Sequence, residues 1–553
     1  MAEKLKIIPL GGLDEVGKNL TVYEYKDDIM IVDCGLGFPD GEMYGVDIVI
    51  PDVTYLTKNA TKIKGIVLTH GHEDHIGSVP YVIKQISAPI YGTDLTLGLV
   101  KLKLEEHDLD ENTELREIKP GVKFNVGCFE VEPIHVNHSI ACAVALAIKT
   151  PMGMVVHTGD YKIDTTPVGC EMTDLTRFGE IGKDGVLALL SDSTNAERKG
   201  FCPSDRVVGN ALDELFEGCG KRLIITTFSS NVYRVQQIIT LAAKHGRKVG
   251  ITGRSMENMV SVSSELGYIT IPDDTLIDMN KLKNFPKEKT VIITTGSQGE
   301  SMSALYRMAF SGHRQVEIGS GDRVVISASA VPGNEKTVSR MINELFRKGA
   351  EVCYRDIMSD LHVSGHACQE EMRIMLALTK PRFFIPIHGE QKHLRAHAGL
   401  ARELGIPSSH IVIGDIGKVI ELTKKTVKLN GAVQSGRVLV DGSGIGDVGS
   451  VVLRDRKHLA EDGMLVVVIS LSREDNSLVS GPDIITRGFV YVKEADALLD
   501  SMRMLVVETL DACDNNNIKD WASIKTSIKT ALTSYLHKTT KRSPMILPMI
   551  MEV

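Results

Sequence analysis

The sequence predicts an α/β protein built from several layered domains. Three observations carry this expectation. The first half alternates short apolar strands with amphipathic helical stretches. From about residue 206 to 365 the rhythm becomes the strand–helix repeat of a doubly wound sheet. A last, smaller α/β unit closes the chain, and 553 residues exceed one ordinary domain.

In order, the strands of the first part are KLKIIPL, TVYEY, DIMIVDC, KGIVLTH, CFEVEPIHV, MGMVVHTGD and GVLALLSDS, with VPYVIKQI and DLTLGLVKLKLEEH as helices between them. This part is placed at 1–205. In the second part, 206–365, RLIITTF precedes the helical NVYRVQQIITLAAKHG, KTVIITTG precedes SALYRMAFSG, and RVVISAS precedes NEKTVSRMINELFRKG. PRFFIPIHGE then resembles the earlier strand-plus-His endings, so 366–430 is expected to return to the first domain. Residues 431–455, Gly-rich and apolar-poor, are read as a linker. The unit at 456–553 has strands MLVVVISL, IITRGFVYV and MILPMIMEV and two helices. In the second helix, Trp521, Ile524, Ile528, Leu532 and Tyr535 recur at helical spacing as a core stripe.

Composition narrows the function classes. The apolar fraction of 43% and charged fraction of 24% suit a chain that buries real cores. No apolar run has the length of a membrane span, and MAEKLKIIPLGG reads as a first strand rather than a secretion signal, so a cytoplasmic protein without membrane contact is expected. The nine cysteines form no C-x-x-C pair, which points away from thiolate zinc sites and leaves His and carboxylates as metal ligands. A net charge of −8 argues against a nonspecific nucleic-acid coat, though a local basic channel would matter more than the total. Six Lys/Arg between Lys519 and Arg542, against the single acid Asp520, read as a solvated helix face.

The strongest signal is His70-Gly-His72-Glu-Asp74-His75, directly after the apolar Ile66-Val67-Leu68. At a strand end, residues two apart point the same way, so His70 and His72 can grip one ion. Asp74 and His75 come as the chain turns into a helix and can face a second. Imidazole with carboxylate is a donor mixture for borderline metals such as zinc. His138, Asp160 and His388 each end a strand in the same manner. Singly each reads as structural; together they gather ligands at one edge of a layered sheet.

These residues together resemble the metallo-β-lactamase superfamily. The resemblance implies an αββα sandwich, with His70, His72 and His138 holding a first ion, Asp74, His75 and His388 a second, and Asp160 bridging both. Two such ions could share a hydroxide and neutralise charge on a phosphodiester undergoing attack. A lactone, thioester or β-lactam could use the same hydroxide, so the metal cluster alone leaves substrate open.

The separation of 228 residues between Asp160 and His388 leaves room for an insertion that resembles the inserted α/β domain of the β-CASP subgroup of nucleases. Asp192 in SDSTN, His366 in His362-Val363-Ser364-Gly365-His366, and His388 match its three markers. A His at the third resembles the RNA-acting branch. His366 is then expected to contact the scissile phosphate and protonate the leaving oxygen, with Asp192 orienting it, and Asp74 and Asp192 join it as catalytic residues. Ser364 and the Gly365 backbone are candidates for phosphate oxygens. Nearly the whole chain resembles the bacterial ribonuclease J family, with further matches in GGLDEVGKN, TTFSSNVYRVQQ, TGSQGE and VPGNE. Ser301 and SASAVPGNE depart from its usual pattern. The resemblance implies a 5′-to-3′ exonuclease preferring 5′-monophosphate RNA, with endonuclease activity, two zinc ions per subunit (manganese or magnesium also serving), and a homodimer or homotetramer. A paralogue and RNA-degradation proteins are further expected partners. Ser230, Asn231 and Arg234 are candidates for gripping RNA; for Arg234 a surface helix charge is the equal alternative. Asp47 and Asp441 are candidates for a calcium site, with ordinary turn aspartates as the alternative. A small-molecule hydrolase and a non-catalytic RNA-binding scaffold are the rival classes.

Overall fold

The computed structural model describes residues 3–300, 302–331, 334–473, 477–490 and 495–553. Ser301, Pro332 and Gly333 of the motif departures, and the end of the IITRGFVYV strand at 491–492, lie outside the described residues. The chain divides into two compact units: residues 1–38 with 48–438, and residues 39–47 with 439–553.

Two sheets face each other in the first unit. One has eight strands and is centred on Leu5–Gly11, Leu20–Tyr25, Asp28–Val32 and Ile63–Val67. The other has six and runs from Phe383–Ile387 through Val186–Asp192, Gly153–His157, Val144–Thr150 and Phe129–His135 to Phe124–Val126. Their inward side chains, among them Ile7, Tyr23, Met30, Leu146, Leu190 and Ile385, form one buried layer. Helices pack on the outer faces, which completes the αββα sandwich. Strands buried on both faces read as continuous apolar runs, which is why VLALL and FFIPI do not alternate.

The insertion is a separate five-stranded, all-parallel sheet in the order Lys248–Thr252, Thr290–Thr294, Arg222–Thr226, Asp322–Ile326, Glu351–Cys353. The chain then re-enters the sandwich. Phe383–Ile387 pairs in parallel with Val186–Asp192, the strand the chain had left, with Ile387 beside Asp192.

In the second unit, Met464–Leu471 lies between Leu478–Arg487 and Met545–Glu552. Helices Asp496–Asn515 and Trp521–Thr540 cover one face through Met502, Val506, Ile528 and Leu532. The predicted stripe is corrected at its start: Trp521 is 39% exposed, and fully buried Leu536 continues the core face one turn on. The linker reading of 431–455 is corrected too. That stretch carries strands Arg437–Asp441 and Gly444–Ile445 and the first turns of helix Ser450–Asp462. Residues 39–47 join this unit because Arg456 donates to the Tyr44 carbonyl at 2.9 Å and Lys457 to Glu42 at 3.1 Å.

Candidate metal centre

Every predicted ligand leaves a strand at the same edge of the sandwich. His70 and His72 follow Ile63–Val67 and run into the short helix Glu73–Ile76, which carries Asp74 and His75 in its single turn. His138 follows Phe129–His135, Asp160 follows Gly153–His157, and His388 follows Phe383–Ile387. Parallel register brings Val155 beside Ala188 and Asp192 beside Ile387, so the chain ends bearing Asp160, Asp192 and His388 meet.

Three candidate ligand groups result; one joins Asp160, Asp192, His366 and His388, and the other two are made of the predicted ligands. The donor atoms of His70, His72, His138 and Asp160 lie within 4.8 Å of one another, as do those of Asp74, His75, Asp160 and His388. Asp160 is common to both. In the first group, His72 Nδ1 stands 3.1 Å from His70 Nε2 and 3.0 Å from His138 Nε2. His70 Nδ1 is engaged by Thr69 Oγ1 at 3.0 Å, and His138 Nδ1 donates to the Gly365 carbonyl at 2.7 Å. With both Nδ1 atoms protonated, both Nε2 atoms present lone pairs to one point. In the second group, His388 Nε2 is buried without a hydrogen-bond partner, 3.3 Å from Asp74 Oδ2. Converging lone pairs and carboxylates, most of them buried, are a donor set for divalent cations.

The electrostatics of the two groups differ. Burial, reinforced by neighbouring imidazoles, holds His70 and His138 well below the usual histidine range. Burial likewise pushes His72 down to about 4 against the pull of Asp74 and Asp160. These three rings are neutral, the ligand form. At His75 and His388 burial opposes the charge, but Asp160 with Asp33 or Asp192 outweighs it and raises both. Burial would raise Asp160, but His388, His75 and His366 hold it ionised.

An outer layer, which sequence reasoning missed, fixes these rings. Asp33 Oδ2 accepts from His75 Nδ1 at 2.8 Å, while Asp33 Oδ1 accepts from the Thr69 amide at 2.8 Å and the Thr69 hydroxyl at 3.0 Å. The same Thr69 hydroxyl meets His70, so one buried carboxylate orients a ligand of each group. The available signal was the Asp that ends the DIMIVDC strand beside KGIVLTH. Asp33 and His388 both adopt left-handed backbone, φ +62° and +53°, a conformation that needs surrounding support.

Beside the two groups stands His366, whose Nδ1 donates to Asp192 Oδ2 at 2.8 Å. Burial opposes its charge, but Asp192 and Asp160 outweigh burial and raise it. Asp192 is fully buried and also accepts from the Thr194 amide and hydroxyl at 2.9 and 2.7 Å. Ser364 Oγ accepts from Asn195 at 2.8 Å and from the His366 amide at 3.2 Å. His362 is pushed down to about 3 by burial and by Arg234, and Val363 is buried.

Several expectations are corrected. The Gly365 carbonyl is taken by His138, and a Cβ at this position would stand 2.8 Å from that ring, so the ligand itself requires a glycine here. Arg234 is neither a surface charge nor exposed to RNA. It is fully buried, paired with Asp205, and donates to Ser327 Oγ at 2.7 Å. Asn231 is buried and caps helix Val232–Lys244 by accepting from the Arg234 amide at 3.1 Å. Ser230 is half-buried at the same turn. Asp47 accepts from the Gly442 amide at 2.8 Å and Asp441 pairs with Arg456, so these two aspartates serve turns and an ion pair. They belong to no ligand cluster among the described residues.

Fold and site together define a metallo-β-lactamase-type hydrolase with a β-CASP insertion and a divalent-metal centre. Residues 13–161 match the metallo-beta-lactamase superfamily and 220–345 the ribonuclease J beta-CASP domain. Residues 356–411 match the zinc-dependent metallo-hydrolase RNA specificity domain, and 451–553 the ribonuclease J C-terminal domain. The chain is 43% identical over 552 residues to ribonuclease J2 of Bacillus subtilis, covering 100% of this chain and 99% of that one. It is 41% identical over 560 residues to ribonuclease J of Thermus thermophilus, covering 100% and 96%. The chain belongs to the ribonuclease J family of hydrolytic ribonucleases. A crystal structure of a protein of unknown function from Enterococcus faecalis V583 shares the fold, with a TM-score of 0.54, 17% identity, and coverage of 76% of this chain and 100% of that one.

Proposed function

We propose that the protein degrades RNA 5′-to-3′ from a 5′-monophosphate and also cuts internally, in RNA maturation and mRNA decay in the cytoplasm. The observation that carries this reading is the His366–Asp192 pair, 2.8 Å apart, set beside two ligand groups that share Asp160. The first ion would be held by His70, His72 and His138, the second by Asp74, His75 and His388, with Asp160 between them; zinc suits the imidazole-rich set, and manganese or magnesium can support turnover. When bound, the two ions lower the pKa of water and neutralise charge on the phosphate. The chain's own residues do the rest. Asp192 orients the His366 ring through Nδ1, leaving Nε2 as the atom that gives its proton to the leaving oxygen as the P–O bond breaks. Ser364 and His362 line the approach of the phosphate on the same loop.

A homodimer or homotetramer accords with the outer face of the C-terminal sheet, where Ile485, Leu547, Met549 and Met551 are all exposed. No helix among the described residues is long and apolar enough to cross a membrane.

The test is cleavage of one body-labelled RNA carrying a 5′-monophosphate or a 5′-triphosphate, by metal-loaded and by EDTA-treated protein. Mononucleotides released faster from the monophosphate, and only with metal, are expected. No cleavage of either RNA by fully metallated protein would overturn the reading.

A further inference from the structure

We propose that Glu371 is a positioning residue for phosphodiester cleavage: one buried carboxylate that locks the loop carrying His366 against the loops carrying Asp160 and Asp192. The inference rests on the reading of His366 as the acid for the leaving oxygen.

Glu371 is in the first turn of helix Gln369–Thr379, which begins just after His366. Its Oε2 reaches back to the amide of the N-cap residue Cys368 at 2.8 Å, as a capping-box glutamate does. Two further bonds go beyond the helix. Oε2 also accepts from the Cys202 amide at 2.7 Å, and Oε1 accepts from the Ile163 amide at 2.8 Å. Ile163 follows Asp160 on its loop, Cys202 lies on the loop after Asp192, and Cys368 follows His366. These partners stand 208 and 169 residues from Glu371 along the chain, so this one side chain ties three distant loops at one point.

Neighbouring contacts carry the tie to the imidazole. Ala367 donates to the Tyr161 carbonyl at 2.6 Å, the Cys202 thiol donates to the Ser364 carbonyl at 3.0 Å, and Asn195 donates to the His366 carbonyl at 3.0 Å. Glu371 is fully buried among three donors, an acceptor-only setting that suits a carboxylate. An amide of the same shape would turn an NH2 group against at least one backbone N–H and release that loop. Glu371 touches no metal ligand itself, so in metal-loaded protein its loss should fall on proton delivery rather than on metal stoichiometry.

The test uses full-length, metal-loaded protein, with RNA as one substrate and a p-nitrophenyl phosphodiester, whose leaving group departs without a proton, as the other. Glu371→Gln is expected to keep metal stoichiometry and KM, to lose at least tenfold in kcat on RNA, and to stay within about twofold of wild type on the p-nitrophenyl ester, the pattern also expected of His366→Ala. Glu371→Asp, which keeps the charge but not the reach, is expected to show a smaller loss with the same selectivity and serves if the Gln variant does not fold. Unchanged kcat on RNA, or equal losses on both substrates by the Glu371 variants beside a selective His366→Ala, would overturn the inference alone. Equal losses by His366→Ala itself would overturn the acid role of His366 and this inference with it.

Discussion

Asp33 carries more of the metal centre than its distance from the ligand motif suggests. Its carboxylate holds His75 directly and His70 through the Thr69 hydroxyl, and thereby sets which nitrogen of each ring faces the ion. Asp33→Ala is therefore expected to weaken metal binding about 10–100-fold, measured by titration against a chelator with an indicator dye; wild-type affinity would refute it. His366→Ala is expected to lose roughly 10²–10⁴ in kcat on RNA with metal content unchanged, read by metal analysis beside single-turnover rates. Legibility in the sequence followed contiguity. His70, His72, Asp74 and His75 lie within one turn of chain, so their spacing alone announces a site. Asp33 acts across a sheet, and nothing in its own segment marks the partner 42 residues away. Arg234 deceived for a related reason. A cation on a helix is ordinarily solvated, and its half-buried partner Asp205 sits on another helix.

At the scale of elements, the three parallel strands ending near Asp160, Asp192 and His388 bring their loops together, and the HVSGH loop closes over them with a glycine at the tightest point. Gly365→Ala would drive a methyl group into His138. It is expected to cost at least tenfold in both metal affinity and RNA cleavage, checked by the same titration and assay; full activity would show that the loop yields. In the C-terminal unit, Leu532 is fully buried between helix and sheet. Leu532→Ala is expected to destabilise that unit by about 2–5 kcal/mol, measured by chemical denaturation. Most strands and helices were legible because apolar runs and 3.6-residue periodicity are local properties. The segment 431–455 was not. Its glycines suggested slack, whereas Gly442 and Gly446, at φ +56° and +76°, make tight turns beside short paired strands.

For the molecule as a whole, acid sensitivity follows from rings buried neutral. Burial pushes His157 and His397 down to about 4 from an ordinary value of 6.5. Below pH 6.5 the unfolded chain takes up protons that the folded one refuses. Stability from these groups is whole above that pH and is lost as pH falls towards 4, by up to roughly 1.4 kcal/mol per unit for each ring. Denaturation midpoints measured from pH 7 to 4.5 should fall accordingly, and His397→Gln should flatten the slope; an unchanged slope would count against it. The division into two units was only partly legible, because the nine residues 39–47 join a unit otherwise formed by the end of the chain.

The strand Phe383–Ile387 completes the sheet beside the strand that was left behind at Asp192, and His388 follows it. Biosynthesis runs the other way round from use: the ribosome makes six of the seven ligands long before the last. His388 emerges 196 residues after Asp192, roughly 10–40 s later at ordinary elongation rates. Until then the second ligand group has no fourth member. For that interval the nascent chain of this enzyme is unarmed towards the messenger that encodes it.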